Sequence, residues 1–477
     1  MSSVLQPLTP IDDATFGSYR RILLLSGPLI LSHMGVMLMQ IVDGLLLARY
    51  SKDAIAAIGP AGMTFWLISG LFIGLVGYTN TFVAQYVGAN HPERVGAVIW
   101  QGIYMSLGAG ALLASASLGA GWFFTVTGHA KAIRVDEVTY FSILCYGGLV
   151  TILSAALSGF YAGRSDNLTL MVAHLGGNIL NAVLAWAMIF GRLGLPEMGI
   201  RGAAWATVIA QTCQVLILGT LLFGRQYRSQ YRTWVDRQLD VKLIGRMCLY
   251  GFPNGMRYIL EILAFDVFML LMGRVSTDGL AATNIVFRIN GAAFFPVIGL
   301  ATAVSMLVGQ AQGAGRPELS RRVTMRGLVL AQIWMSACAA AMVLIPTVLL
   351  APFFDPANGP IEPELHRLCV RLLWFVAAYT LLDGVNIMFM SVLTGTGDTR
   401  FMLIASGALH LSLAAFLCLL VHLGMGTYAM WTAVTVFICC VSVVWVVRFR
   451  SGRWESKRVI EHTPPDIAEA PATGAPL

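Results

Sequence analysis

The chain has 477 residues, 57% of them hydrophobic and only 12% charged, with a mean hydropathy of +0.74 and a formal net charge of +7. A soluble chain carries roughly 25% charged residues, so most of this surface faces something other than water. The Lys and Arg lie in short connectors between apolar runs rather than along one soluble face; that pattern argues against nucleic acid as a partner and marks membrane topology.

Apolar runs of about 20 residues recur along the chain, each long enough to span a bilayer core about 30 Å thick. Closed helices satisfy every backbone group in lipid, and the alternating ten-residue segments of a β-barrel, about that length by rule, do not occur. The expected fold is an all-α membrane protein with twelve transmembrane helices in two pseudo-symmetric six-helix lobes. Residues 1–20 are polar, acidic and Pro-containing, without the basic-then-apolar order of a cleaved signal; they read as a cytoplasmic N-terminal segment, and the first span is expected to stay in the membrane. Spans are predicted to start near Arg21, Ile55, Val95, Val138, Leu168, Gly199, Met247, Leu280, Val323, Arg371, Phe401 and Gly426. Residues 21–223 then form the first lobe and 247–448 the second. The linker 224–246 carries six basic residues, Arg225, Arg228, Arg232, Arg237, Lys242 and Arg246. Residues 449–477, polar after Trp454 and Ala/Pro-rich at the end, are expected to be a disordered tail. An even number of spans puts both termini on one side. That side holds 20 Lys and Arg against 9 on the other, with Arg257 and Arg288 inside spans. The positive-inside bias therefore predicts cytoplasmic termini in an inner membrane.

The two halves repeat. A shift of 225 positions brings Pro28 onto Pro253, Arg49, Ser51 and Asp53 onto Arg274, Ser276 and Asp278, Gly74 onto Gly299, Gln85 onto Gln310, Gly88-Ala89 onto Gly313-Ala314, and Pro92-Glu93 onto Pro317-Glu318. The register is unbroken from Pro28 to Glu93. A shift of six spans preserves orientation, so the repeat is parallel, with its axis along the membrane normal, as in transporters whose halves rock about a central site.

No GxxxxGK[ST] occurs, and none of the four Lys follows a Gly, so direct ATP drive is not expected. HExxH and GxSxG are also absent, which weighs against a membrane enzyme. The eight Cys are scattered, without CxxC or Cys–His metal spacing. No cofactor is expected beyond a coupling ion, Na+ or H+.

The informative residues are acids inside spans: Asp43, Glu261, Asp266 and Asp383. A mid-bilayer charge costs about 3 kcal/mol on insertion scales, so such groups pair, face a cavity or carry function. Asp43 has Gln40 three residues before it on the same face. It is either an end-of-span acid at the outer headgroups or a proton or cation site. Tyr379 and Asn386 flank Asp383 at i−4 and i+3. An aromatic face, a carboxylate and an amide oxygen there make either a cation nest or a buried hydrogen-bonded cluster. Arg257 precedes Glu261 by four residues, an ion-pairing spacing; the alternative leaves Glu261 free to reach a cavity. Asp266 lies about 140° round the helix from Glu261, and Arg288 in the next span is its expected partner. His33, His174 and His410 are read as histidines satisfied by backbone carbonyls rather than as proton relays.

The pattern resembles the multidrug and toxin extrusion family, in its NorM-like branch. The likeness spans about residues 20–450. It rests on Val42-Asp43 with Ala56-Ala57, and on Val83-Ala84-Gln85 with Gly88-Ala89 and the repeat Val308-Gly309-Gln310 with Gly313-Ala314. Gly251-Phe252-Pro253 with Glu261, Tyr379 with Asp383, and Gly395-Thr396-Gly397-Asp398 complete it. The resemblance implies a V of two lobes that exchanges amphiphilic organic cations for Na+ or H+. It implies a cation site in the second lobe at Glu261, Asp383 and Tyr379, and one in the first lobe at Asp43 with Asn181. Ala185 stands where relatives often carry Asp or Asn, and Arg257, Asp266 and Arg288 are additions to the pattern. The expected function is secondary active multidrug efflux by a monomer in the bilayer. The alternatives are a lipid-linked oligosaccharide flippase, which needs a strongly cationic cavity, and a membrane enzyme or sensor without transport.

Overall fold

The computed structural model describes residues 15–126, 129–354 and 363–461. The spans are α1 (Tyr19–Tyr50), α2 (Lys52–Gly88), α3 (Pro92–Val126), α4 (Lys131–Tyr146 and Gly148–Gly163, meeting at 46°), α5 (Asn167–Ile189) and α6 (Ile200–Leu222). They continue as α7 (Val241–Val275), α8 (Thr277–Gly313), α9 (Pro317–Leu344), α10 (Pro363–Thr396), α11 (Thr399–His422) and α12 (Thr427–Arg450). Among the described residues, ten of these are single helices apolar enough to cross a membrane, and bent α4 supplies an eleventh. The twelfth is α7, 35 residues long, whose apolar character is interrupted by Arg257, Glu261 and Asp266.

The order is the one expected from the sequence. The largest differences are at α4 and α10, which begin at Lys131 and Pro363 rather than near Val138 and Arg371. Hydropathy marks the part of a helix that lies in lipid, and both helices run on into water as polar turns. Helix starts are capped locally. Ser51 accepts hydrogen bonds from the amides of Asp53 (3.2 Å) and Ala54 (3.5 Å) at α2, and its repeat mate Ser276 accepts from Gly279 (2.9 Å) at α8. On α1 the exposed stripe Leu24, Leu31, Leu38 and Leu45 follows a seven-residue spacing and faces lipid.

Close approaches between the lobes obey the 225-residue register. The Gly74 backbone of α2 lies against Gly255 of α7, and that of its mate Gly299 against Ile30 of α1, the mate of Gly255. Nearer the face at which the described residues begin and end, Gly88 is pressed on the Gln310 backbone and Gly313 on that of Gln85. The side chains repeat the relation. Gln85 Nε2 donates to the Gly395 carbonyl of α10 (3.0 Å) and Gln310 Nε2 to the Gly163 carbonyl of α4 (2.9 Å). Tyr78 Oη donates to the Thr394 carbonyl at 2.7 Å. The lobes are therefore sealed against each other at the terminal face.

Two polar segments outside the spans are packed against the helices. The linker folds onto the end of α3, where Trp100 Nε1 donates to the Thr233 carbonyl (2.9 Å) and Gln101 bridges the Gln238 carbonyl and the Asp240 amide. The first part of the tail expected to be disordered is packed. Trp454, Val459 and Ile460 are buried, and Gln312 Nε2 donates to the carbonyls of Glu455 (2.5 Å) and Lys457 (2.7 Å). The Val459 amide donates to Gln85 Oε1 at 2.9 Å, and Glu461 pairs with Arg246 and accepts from Tyr86 Oη. The polar composition of this strap is satisfied by buried amides of α2 and α8 rather than by water; residues 462–477 lie outside the described residues. Gln312→Leu leaves those carbonyls without a donor, at a cost of about 1–3 kcal/mol. In detergent solution trypsin is then expected to cut at Lys457 and Arg458 several-fold faster than in the parent protein.

Candidate functional site

The second lobe encloses a cavity of about 350 Å³ within α7, α8, α10, α11 and α12. On α7 its lining follows helical spacing: Arg257, Glu261, Ala264, Phe265 and Phe268. On α10 it is Tyr379, Asp383, Asn386 and Met390, one stripe of a single helix face. Most of the remaining wall is aromatic or aliphatic, with Asn290 and His410 as further polar groups. Such a concave, largely apolar space with few converging polar groups is the ordinary form of a small-molecule site.

Tyr379, Asp383 and Asn386 do meet in one cavity. Asp383 is 9% exposed and Tyr379 3%. Asn386 Nδ2 donates to Asp383 Oδ1 at 3.2 Å, while Asn386 Oδ1 accepts from Trp445 Nε1 at 2.8 Å. The indole N–H is a donor only, so it fixes the amide orientation. The amide oxygen expected to help hold a cation is turned away from Asp383, because an amide cannot aim both ends at one acid. No basic side chain pairs with Asp383 among the described residues. Trp445 and Asn290 carried no sequence signal, because spacing along one helix does not say which residues of its neighbours it meets. His410 Nδ1 donates to the Ser406 carbonyl (2.7 Å), the backbone satisfaction expected of it. His174 departs from that reading, since its Nε2 lies 3.3 Å from Ser158 Oγ.

Glu261 is paired as the spacing suggested: Arg257 Nη1 lies 2.7 Å from Glu261 Oε2 and 3.0 Å from Met390 Sδ. The Arg257 side chain is 9% exposed and that of Glu261 44%. Arg257 thus brings a buried guanidinium into the cavity, with Glu261 as its counter-charge. The expected Asp266–Arg288 pair does not form: neither residue has an ion-pair or hydrogen-bond partner among the described residues. Asp266 points away from the α7 cavity face, and Arg288 lies on an exposed face of α8.

In the first lobe Asp43 is 6% exposed and Asn181 1%. Asn181 Nδ2 donates to Thr207 Oγ1 at 3.2 Å. Asp43 Oδ1 and Asn181 Oδ1 are both buried without a hydrogen-bond partner, so Asp43 faces the packed interior of the lobe. Ala185, where relatives often place a polar residue, is fully buried. Gln40, expected beside Asp43, is exposed and makes no hydrogen bond to it; the aspartate turns into the lobe and the glutamine stays in an open space. Among the described residues, no three His, Cys, Asp or Glu side chains gather as a metal site.

The MatE family model matches residues 28–187 and 253–420, one block in each lobe and together well over half of the chain. The chain belongs to the MatE family. Curated MatE relatives include the "Probable multidrug resistance protein NorM" of Pseudomonas putida, 26% identical over 447 residues, 92% of this chain and 95% of the relative. The "Multidrug resistance protein NorM" of Burkholderia vietnamiensis is 26% identical over 433 residues, 89% and 92% of the two chains. Among solved structures, an outward-facing multidrug resistance MATE transporter of the MOP superfamily superposes with a TM-score of 0.82 at 20% identity, covering 91% of this chain and 95% of that one. A MATE transporter in a straight conformation gives 0.82 at 20%, covering 92% and 97%. These superpositions establish the twelve-helix MATE fold for this chain. The matched blocks fall on the two halves of the internal repeat, so family membership and the 225-residue register describe the same two lobes.

Proposed function

We propose that the protein is a secondary active exporter of amphiphilic organic molecules with a cationic part, exchanging them for an ion that enters from outside. The carrying observation is Asp383, a buried carboxylate with one amide donor and no fixed cation, in a cavity of about 350 Å³. A charge in that position favours a mobile positive species, organic or inorganic. Asp43 repeats the condition in the first lobe. Competition at these carboxylates couples the two fluxes: each occupant favours a different lobe arrangement, and the two cannot bind together.

Of the coupling ions, the geometry favours the proton. Hard cations collect several oxygen ligands. Arg257 occupies Glu261 and the Asn386 oxygen faces Trp445, which leaves sodium fewer oxygens near Asp383 and Tyr379, whereas a proton needs one. A pyrophosphate-handling flippase would need a cluster of free cations, and Arg257 is held by Glu261. Positive-inside counting supports cytoplasmic termini and an inner-membrane setting, so the sealed face is the cytoplasmic one. The test is transport of ethidium by proteoliposomes with sodium and proton gradients imposed separately. Movement driven by the proton gradient is expected; absence of movement under both gradients rejects the exporter reading.

A further inference from the structure

The outer half of the cleft between the lobes has two unlike walls. On α8 the exposed positions include Asn284, Arg288 and Ala292, one stripe at four-residue spacing along the helix, and α8 exposes no large apolar side chain. A helix against lipid does the opposite, as α1 does with its leucines, so the α8 stripe faces water. The neighbouring contacts identify that water as the cleft. Gly299, eleven residues inward of Arg288, is pressed on Ile30 of α1, and a Cβ on Gly291 would lie 3.9 Å from Met37 Cε of α1. The two helices are antiparallel, so the next turn outward brings Gln40 level with Arg288. Gln40 shares a face of α1 with buried Ile22, Leu29 and Leu47 and is nevertheless exposed, as a side chain bordering the same aqueous space would be.

The other wall follows from the repeat. Arg288 maps onto Met63 and Gly291 onto Trp66. Met63 is 52% exposed and Trp66 38%, on the stripe of α2 that runs inward to Gly70 and Gly74 against α7. One wall therefore offers a thioether and an indole, and the other a guanidinium with no partner among the described residues, beside the amides of Asn284 and Gln40. A guanidinium fork matches a carboxylate with two parallel hydrogen bonds. Charges kept within spans mark substrate routes.

We propose that Arg288 is a specificity residue that binds a carboxylate on the transported molecule, so that the preferred guests are zwitterionic amphiphiles rather than simple cations. The apolar rings of the guest lie on Met63 and Trp66, and its anionic group lies on Arg288. This rests on the exporter reading for its consequence in transport, but the binding claim can be tested without transport.

The probes are rhodamine 110, with a free carboxylate, and rhodamine 123, its methyl ester. Each is titrated against the full-length protein in detergent by fluorescence anisotropy, with no ion gradient. The parent protein is expected to bind the carboxylate dye about tenfold more tightly, the scale of one charge-assisted hydrogen-bond pair. Arg288→Met, which installs the residue of the other repeat, is expected to remove that preference and leave ester binding unchanged; Arg288→Lys keeps part of it. Ester binding doubles as the check on folding, and Arg288→Gln replaces the Met variant where that one does not fold. Equal or tighter binding of the ester by the parent protein, or equal weakening of both dyes by Arg288→Met, overturns the proposal. A carboxylate preference in a protein that transports neither dye leaves Arg288 assigned and rejects the exporter instead.

Discussion

Asp383→Asn is expected to reduce ion-driven efflux to the level of empty liposomes, while the protein still inserts and keeps or gains thermal stability. The substitution is nearly isosteric. Asn386 Nδ2 still finds an oxygen at position 383, so the bond seen at 3.2 Å survives. What disappears is a buried charge without a fixed counter-ion, whose burial costs stability. A structural carboxylate would give the reverse result, lower stability with transport intact. Glu261→Gln supplies the contrast in the same cavity. It leaves Arg257, 9% exposed, facing a neutral amide where its counter-charge stood at 2.7 Å. Breaking a buried pair from one side destabilises the fold, here less than for a fully buried pair because Glu261 is 44% exposed and screened by water. Glu261→Gln is therefore expected to lower the melting temperature by a few degrees and retain measurable efflux. Melting curves of the purified variants beside proteoliposome efflux check both. Efflux surviving in Asp383→Asn would remove the central element of the proposed mechanism.

Much of this architecture was legible before any coordinates, for definite reasons. Span number and order follow from the length of the apolar runs, since lipid enforces closed helices. The repeat register was legible because it passes through residues with little tolerance for substitution: glycines at backbone contacts, and the glutamines that cross between lobes. The site was legible in part. Tyr379, Asp383 and Asn386 share a helix face by spacing alone, and Arg257 with Glu261 needs only one helix turn. What failed depended on geometry between helices. Nothing in the run around Trp445 says that its indole would take the Asn386 oxygen. Asp266 and Arg288 look like complementary charges in adjacent spans, yet one faces away from the α7 cavity and the other into open space. The tail misled for another reason: polar composition reads as disorder, but Gln85 and Gln312 offer buried amides that a neighbouring backbone can satisfy.

Gly88→Leu is expected to stop export by preventing closure of the sealed face, and Gly313→Leu is expected to match it. A Cβ at Gly88 would lie far inside van der Waals contact with the Gln310 carbonyl oxygen, and one at Gly313 with that of Gln85. Both obstacles are backbone atoms in packed helices, so no rotamer change relieves them. Overpacking of this kind costs roughly 1–3 kcal/mol or more, and it falls only on the arrangement in which α2 and α8 touch. The opposite arrangement, with the lobes parted at this face, carries no such clash, so the equilibrium shifts toward it. Thr81, 3% exposed with its hydroxyl 3.4 Å from the Thr394 carbonyl across the lobes, reports the shift. In a protein whose eight native cysteines are replaced, Thr81→Cys is expected to react slowly with a membrane-impermeant maleimide applied at the terminal face. Adding Gly88→Leu is expected to make it react fast. Gly108→Leu, where a Cβ meets nothing within 4 Å, serves as the silent control. Slow labelling and normal efflux in Gly88→Leu would mean that the Gly88–Gln310 contact is not part of the gate, and that α2 and α8 close through the glutamine bonds alone.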